Sequence, residues 1–160
     1  MLAGRIRTAA LAALLIGWAG PARAGAPTCH GTARGAVEGT FDCAVEARHL
    51  GESVGVTFSA LAQVGDAQSF GLGGFQLAAP LRVGQYALAD MLAARSSVIS
   101  GSGALYAATR TSRDHGEVRL VLKSIRPLAS GAYEVHGTLH AVLAPSGAAR
   151  QDDITIEVEF

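Results

Sequence analysis

Apolar and polar side chains alternate along most of this chain after residue 40. Successive side chains of an extended strand point to opposite faces, so the alternation is typical of antiparallel strands with one buried and one solvated face. The clearest runs cover residues 41–48, 54–60, 118–123, 133–143 and 154–160, and weaker runs broken by glycine or proline cover 69–78 and 81–89. The pattern predicts an all-β fold.

Turn-forming residues separate these runs, for example Gly65-Asp66, Ser130-Gly131 and Pro145-Ser146-Gly147. Many short strands at this spacing favour a single antiparallel β-sandwich of about seven to nine strands. One stretch has a helical period instead. Leu88, Met91, Leu92 and Arg95 follow the i, i+3, i+4, i+7 spacing, with Asp90 as a candidate cap, and they predict one short helix near 88–95.

The first 24 residues have the order of a secretory signal peptide. Arg5 and Arg7 precede an apolar run at 9–20, and Ala22-Arg23-Ala24 provides an A-x-A cleavage site. The apolar run is short for a membrane span, which needs roughly 20 residues, although an uncleaved anchor is the alternative. We therefore expect residues 1–24 to be removed after Ala24. Residues 25–160 then form a single domain, exported to the periplasm or the extracellular medium.

Removal of the leader leaves a mildly acidic chain. The 13 basic residues lose Arg5, Arg7 and Arg23, so ten basic residues face 13 acidic ones among the remaining 136. Lys123 is the single lysine, and no basic run is present. Because nucleic-acid binding needs clustered Lys and Arg, we expect no nucleic-acid partner. We also expect no integral membrane span, and Ala26-Pro27-Thr28 before Cys29 does not match a lipoprotein box.

Cys29 and Cys43 are the two cysteines, and an oxidising compartment favours a disulfide between them. A metal site with His30 would have three ligands and no C-x-x-C pair. If Cys29 lies opposite Cys43 in a hairpin, then Thr32 faces Thr40, His30 faces Asp42, Arg34 faces Glu38 and Phe41 covers Gly31. Opposite charges and paired threonines stabilise cross-strand neighbours. The spacing therefore predicts a disulfide-closed hairpin.

Two patterns suggest chemistry but lack the structure that the chemistry requires. Gly51-Glu52-Ser53-Val54-Gly55 matches the G-x-S-x-G nucleophile elbow, which needs a helix after the serine. Here an alternating strand follows, and a turn is the simpler interpretation. His136 and His140 would chelate zinc on a helix, but on a strand they stand about 13 Å apart. We interpret them as solvated side chains.

Other features point to no cofactor either. Asp152-Asp153 lacks the oxygen ligands that calcium needs, and Gly71-Leu72-Gly73-Gly74 does not match a dinucleotide-binding loop. We identify no catalytic, metal or cofactor residues, and we expect the protein not to be an enzyme.

Three functions from different classes remain. The first is a binding, assembly or structural module of the cell envelope, with an unknown protein or small ligand as its partner. The second is a small outer-membrane barrel, because Ile154-x-Ile156-x-Val158-x-Phe160 resembles the closing strand of such barrels. However, the eight aromatic residues after the leader are few for the aromatic girdles of that class. The third is a small secreted hydrolase that uses Ser53.

Four segments also carry a resemblance: Gly39-Thr40-Phe41-Asp42-Cys43, Gly84-Gln85-Tyr86-Ala87-Leu88, Gly116-Glu117-Val118-Arg119-Leu120 and Tyr133-Glu134-Val135-His136-Gly137-Thr138-Leu139. In this order, after Cys29, they resemble small exported bacterial proteins of unknown function. Many members of that group look like lipoproteins, and this chain differs by lacking the lipidation box. The resemblance implies a β-rich exported domain and assigns no functional residue.

Overall fold

The computed structural model describes residues 28–110, 116–146 and 152–160, which form ten β-strands and one turn of 3-10 helix. The strands are β1 Thr28–Gly35, β2 Gly39–Leu50, β3 Ser53–Ala60, β4 Ser69–Ala78, β5 Gly84–Ala87, β6 Ala93–Ile99, β7 Leu105–Thr109, β8 Glu117–Pro127, β9 Ala132–Pro145 and β10 Ile154–Glu159. The leader predicted at 1–24 lies outside the described residues, and so does Gly147 of the turn predicted at 145–147. The all-β class is confirmed.

All ten strands belong to one antiparallel sheet whose ends meet. The circuit runs β10-β1-β2-β3-β4-β6-β7-β9 and returns to β10, because β9 pairs with β10 as well as with β7. Eight strands therefore close a barrel, and the predicted sandwich is wrong. Side-chain alternation is the same in both architectures: it determines which face of a strand is buried but not which strands are neighbours.

Two of the eight strand positions in the barrel are each occupied by two strands that follow one another in the chain: β5 and β6 in one position, β7 and β8 in the other. β7 and β8 both run antiparallel to β9, β7 against its last residues and β8 against 133–142. In the same way β6 pairs with β7, and β5 pairs with β8. If each of these pairs is counted as one strand, every strand lies next to the one that follows it in the chain, which is the order of an up-and-down barrel.

Inward side chains fill the barrel. The largest fully buried side chains are those of Tyr106, Phe75, Leu72, Leu77, Met91, Leu120, Leu122, Leu139, Leu143, Ile154, Ile156 and Val37. Phe58 stacks edge-on against Phe75 and Phe160, with ring centroids 6.0 and 4.9 Å apart. An eight-stranded barrel has an interior just wide enough for such side chains. The interior of this barrel is therefore an apolar core.

The β1–β2 hairpin has the predicted register. Cys29 pairs with Cys43 through a disulfide with a Cα–Cα distance of 4.8 Å, and both residues are fully buried. His30 faces Asp42 and Thr32 faces Thr40, as expected. A Cβ atom on Gly31 would meet the Phe41 ring at 2.3 Å, because the ring lies directly over the glycine. The predicted disulfide is thus confirmed.

The region around 88–95 differs from the prediction of a helix. A single 3-10 turn covers Leu88–Asp90, and β6 begins at Ala93. The Asp90 carboxylate accepts a hydrogen bond from the Ala87 N–H at 2.8 Å. Leu92 donates its N–H to the Gln76 carbonyl at 2.8 Å, so the chain is already joined to β4 where the helix was expected to continue. Strand pairing has overridden the local helical period.

The segment after β3 covers one end of the barrel. Val64 is fully buried there, and the side-chain amide of Gln68 donates to the Gly101 carbonyl at 3.0 Å in the turn between β6 and β7. At the start of this segment, the Leu61 N–H donates to the Asp42 carbonyl at 2.9 Å. These bonds hold residues 61–63 beside the outer face of β2.

Candidate functional site

A cleft of about 900 Å³ lies on the outer face of the barrel, over β2, β1, β10 and β9. Residues 61–63 form its side wall. The outward side chains that line the cleft are polar: His30, Thr32, Thr40, Asp42, Thr138, His140, Glu157 and Glu159. We refer to this surface as the outer cleft.

Strand register places the charged residues of the outer cleft in two rows. In the first row His30 on β1 lies between Asp42 on β2 and Glu159 on β10. In the second row Glu157 on β10 lies opposite His140 on β9. Cross-strand partners stand about 5 Å apart, so each imidazole is next to a carboxylate.

Both imidazoles of the outer cleft contact a carboxylate. Nδ1 of His30 contacts Oδ1 of Asp42, and these side chains are 78% and 66% exposed. Nδ1 of His140 lies 3.8 Å from Oε1 of Glu157. Exposed pairs of this kind contribute at most about 1 kcal/mol to stability. The side chains therefore remain accessible to a ligand.

The outer cleft has an uneven charge balance. Asp42, Glu157 and Glu159 contribute three carboxylates, whereas no Lys or Arg is among the lining residues. Two arginines lie next to the lining residues. Arg119 on β8 faces His140 and forms an ion pair with Glu117 at 3.3 Å, and the exposed Arg34 lies two residues beyond Thr32 on the same face of β1. The site therefore offers acceptors and negative charge.

Ser53, the candidate nucleophile, is the first residue of β3, directly after the turn from β2. Its hydroxyl donates to the Leu50 carbonyl at 2.8 Å and accepts a hydrogen bond from the Gln76 amide at 2.6 Å. A strand follows the serine where a nucleophile elbow would have a helix. Ser53 is 4% exposed, and in this environment it stabilises the turn.

His136 and His140 lie in different surroundings. Both point outward from β9, but only His140 lines the outer cleft. Nε2 of His136 contacts Oε1 of Glu134 at 3.3 Å, and Arg126 contacts the other oxygen of the same carboxylate. Hydrogen bonds from Arg126 and then from His136 lower the pKa of Glu134 below 4.5.

The remaining candidates do not form a ligand site within the described ranges. Asp152 and Asp153 are exposed ahead of β10. Burial first, and then the charges of these two aspartates, raise the pKa of Tyr106. Residues 28–110, 116–146 and 152–160 contain no group of three or more His, Cys, Asp or Glu side chains placed to hold one metal ion. In the same ranges, no helix is long and apolar enough to cross a membrane.

Half of this site is predictable from the amino-acid sequence. Cys29 and Cys43 are close in the chain, so a disulfide between them predicts the register of the β1–β2 hairpin. That register places His30 opposite Asp42. The sequence does not indicate that β10 lies beside β1, because Gly35 at the end of β1 and Ile154 at the start of β10 are far apart in the chain and no local pattern links the two strands. From the sequence alone, Glu157, Glu159 and His140 belong to the polar faces of their strands, and no pattern places them in one site.

Comparisons of this chain with protein-family models, curated proteins and solved structures find no match.

Proposed function

We propose that this protein is an exported, non-catalytic binding module of the bacterial cell envelope and that the outer cleft holds its ligand. The observation that carries the proposal is the contrast between the two faces of the barrel wall. The inside is filled by apolar side chains, whereas the outside has a concave, polar surface of about 900 Å³. Ligand sites have volumes of about 300–1,000 Å³.

The distribution of side chains favours this proposal over an outer-membrane barrel. The closed shape is common to both, but a membrane barrel presents an apolar band outward. Here the apolar side chains point inward, and exposed outward positions carry charge, as at Arg48, Glu117 and Lys123. Phe160, which suggested a closing strand, is 9% exposed and packs on Phe58 in the core.

The geometry at Ser53 supports a binding role over a hydrolase. A nucleophilic serine needs a base within hydrogen-bond reach and an exposed hydroxyl. The partners of Ser53 are a backbone carbonyl and an amide side chain, and the residue is buried. Neither partner can accept a proton from the hydroxyl during attack on a substrate.

A photo-crosslinking amino acid at Thr40 tests the site in cells. Thr40 lies in the outer cleft, while Thr57 is an exposed outward threonine on β3, outside the cleft, and serves as the matched control. After irradiation of intact cells, we expect a defined mass-shifted adduct from position 40 and none from position 57. Equal adducts at both positions, or none at position 40, would contradict the proposal.

Cell fractionation tests export and location. We expect the processed protein to begin at Gly25 and to appear in the osmotic-shock or culture fluid. Recovery with detergent-extracted membranes would favour the outer-membrane alternative, and retention of residues 1–24 on a cytoplasmic product would overturn export.

A further inference from the structure

The sheet leaves one strand edge without a neighbouring strand. β5 pairs with β8 on one side and ends the sheet order, so within the described residues no strand pairs with its other side. Gly84, Gln85 and Ala87 of β5 are exposed, and a Cβ atom on Gly84 would meet nothing within 4 Å. We infer that this edge pairs with β5 of a second copy of the chain in a two-fold symmetric dimer.

The open edge of β5 presents backbone hydrogen-bonding groups. In an antiparallel pair, residues that bond to the partner strand alternate with residues that point away from it. The Ala87 N–H donates to the Asp90 carboxylate at 2.8 Å, so Ala87 points away from β8. Gln85 lies two residues earlier and has the same orientation. Exposed groups of this kind form a template for another strand.

A two-fold axis at Tyr86 matches the groups that point outward. When two copies of β5 run antiparallel about this axis, Gln85 of each copy lies opposite Ala87 of the other. The N–H and C=O of each Gln85 then bond to the C=O and N–H of Ala87 in the second copy. Asp90 releases the Ala87 N–H in this arrangement, and its carboxylate becomes available for a new partner.

Charge favours a second copy over an unrelated strand. Arg82 precedes β5 and Asp90 follows it, and both residues are exposed. The two lie equally far from Tyr86, so the same two-fold axis places Arg82 of each copy opposite Asp90 of the other. In the described part of the chain, the Arg82 side chain forms no ion pair. An unrelated strand would need matching charges of its own.

Two exposed apolar side chains flank the same edge. Val83 directly precedes β5 and is 62% exposed, and Leu92 follows the 3-10 turn and is 50% exposed. A second copy that pairs with β5 covers part of this surface, and burial of apolar surface favours association. The edge therefore combines backbone groups, opposite charges and apolar contacts in a short stretch of chain.

Sedimentation equilibrium of the processed protein at low ionic strength tests the dimer. The paired strands are short, so we expect a weak dimer with a dissociation constant between about 10 μM and 1 mM. Arg82→Glu should raise the dissociation constant at least about fivefold, because attractive pairs on both sides of the axis become repulsive. The variant R82E/D90R should restore the parent affinity or exceed it, since the charges are opposite again.

The matched control is Arg34→Glu, an equal charge change at an exposed position of β1. It should leave the dissociation constant within about twofold of the parent. A monomer at all concentrations up to about 1 mM would overturn the inference. Equal weakening by Arg34→Glu and Arg82→Glu would also overturn it, as would failure of R82E/D90R to restore the dimer.

Two changes at Gln85 test the strand edge itself. Gln85→Pro removes an N–H that points away from β8, which an edge strand tolerates, and it should abolish the dimer while the circular-dichroism spectrum is retained. An unchanged dimer would mean that another surface is used. A photo-crosslinking amino acid at position 85 should give, in intact cells, an adduct of twice the chain mass. An adduct of a different mass would assign the edge to another protein and contradict self-pairing.

Discussion

The barrel has two unlike walls. The regular wall consists of β9, β10, β1 and β2, whose shared registers run without a shift. The broken wall consists of β4, β5, β6 and β7, where β4 and β6 change register between Gly71 and Gly74. On that side β5 does not continue into β6, because the 3-10 turn intervenes.

The regular register of one wall and the bulge in the other each have a physical consequence. Cross-strand pairs such as His30 with Asp42 require a fixed register, so the regular wall can hold the outer cleft. Closing a small barrel requires sharp curvature, and bulges and glycines provide it. The Ser96 hydroxyl, buried in the broken wall, donates to the Leu72 carbonyl at 2.9 Å and so satisfies an oxygen at the bulge.

The largest expected effect comes from removing a core side chain on each wall. Leu139→Ala on the regular wall should lower the free energy of unfolding by about 3–5 kcal/mol. Leu72→Ala at the bulge should cost about 2–3 kcal/mol, because an irregular strand can relax into the cavity. Both leucines are buried to within 1% of full burial, so they form a matched pair for urea unfolding. If Leu72→Ala lowers the free energy of unfolding more than Leu139→Ala does, then the broken wall relaxes into a cavity no better than the regular wall.

Loss of the disulfide should weaken the regular wall by a comparable amount. The cysteines are separated by 14 positions, and closing a loop of about 15 residues stabilises a protein by roughly 3 kcal/mol. In the double variant C29A/C43A, amide exchange of β1 should accelerate more than that of β4. Uniform acceleration in both strands would mean that the cross-link acts on the whole barrel rather than on one wall.

Two glycines provide a smaller, paired test. A Cβ atom on Gly137 of β9 would lie 1.8 Å from the Val121 carbonyl oxygen, so Gly137→Ala should destabilise the protein by about 1–3 kcal/mol. A Cβ atom on Gly74 of β4 would meet nothing within 4 Å, and Gly74→Ala should be neutral or stabilising by about 0.5 kcal/mol. Thermal unfolding of the two variants measures the contrast. Equal melting temperatures would refute the close approach on β9.

The smallest effect concerns a surface carboxylate of β9. Arg126 and His136 lower the pKa of Glu134, so the folded state holds this proton less tightly than the unfolded chain. The contribution to stability is present above pH 4.5 and is lost as the pH falls through the lowered pKa. Arg126→Gln should move the pKa of Glu134 back toward 4.5, as NMR titration of its side-chain carboxyl carbon would report. An unchanged pKa would show that Arg126 is not its main partner.

Strand positions were readable from the sequence where inward residues are large. Five alternating runs correspond to β2, β3, β8, β9 and β10, and the weaker run at 69–78 coincides with β4. β6 and β7 were missed because small residues occupy inward positions there, such as Ala94, Ser96 and Ala108. These residues give no hydrophobic signal of period two, although they are buried.

Local sequence patterns predict neither the closure of the barrel nor the half of the outer cleft that lies on β9 and β10. The spacing of Cys29 and Cys43 predicts the β1–β2 pair. No sequence pattern in β10 indicates that this strand lies between β1 and β9. The pairing of β10 with β1 brings Glu159 beside His30, and its pairing with β9 brings Glu157 beside His140. Together with a short β2–β9 pairing, these contacts close the sheet into a barrel. The fold and the outer cleft therefore depend on the same unpredicted neighbour.

Backbone nuclear Overhauser effects from Ile156 test this dependence most directly. In the barrel Ile156 of β10 pairs with Ala33 of β1 on one side and with Ala141 of β9 on the other. We predict cross-strand effects from Ile156 to both residues in the processed protein. Effects to one neighbour only would show an open sheet edge at β10, and both the barrel and the outer cleft would then be contradicted.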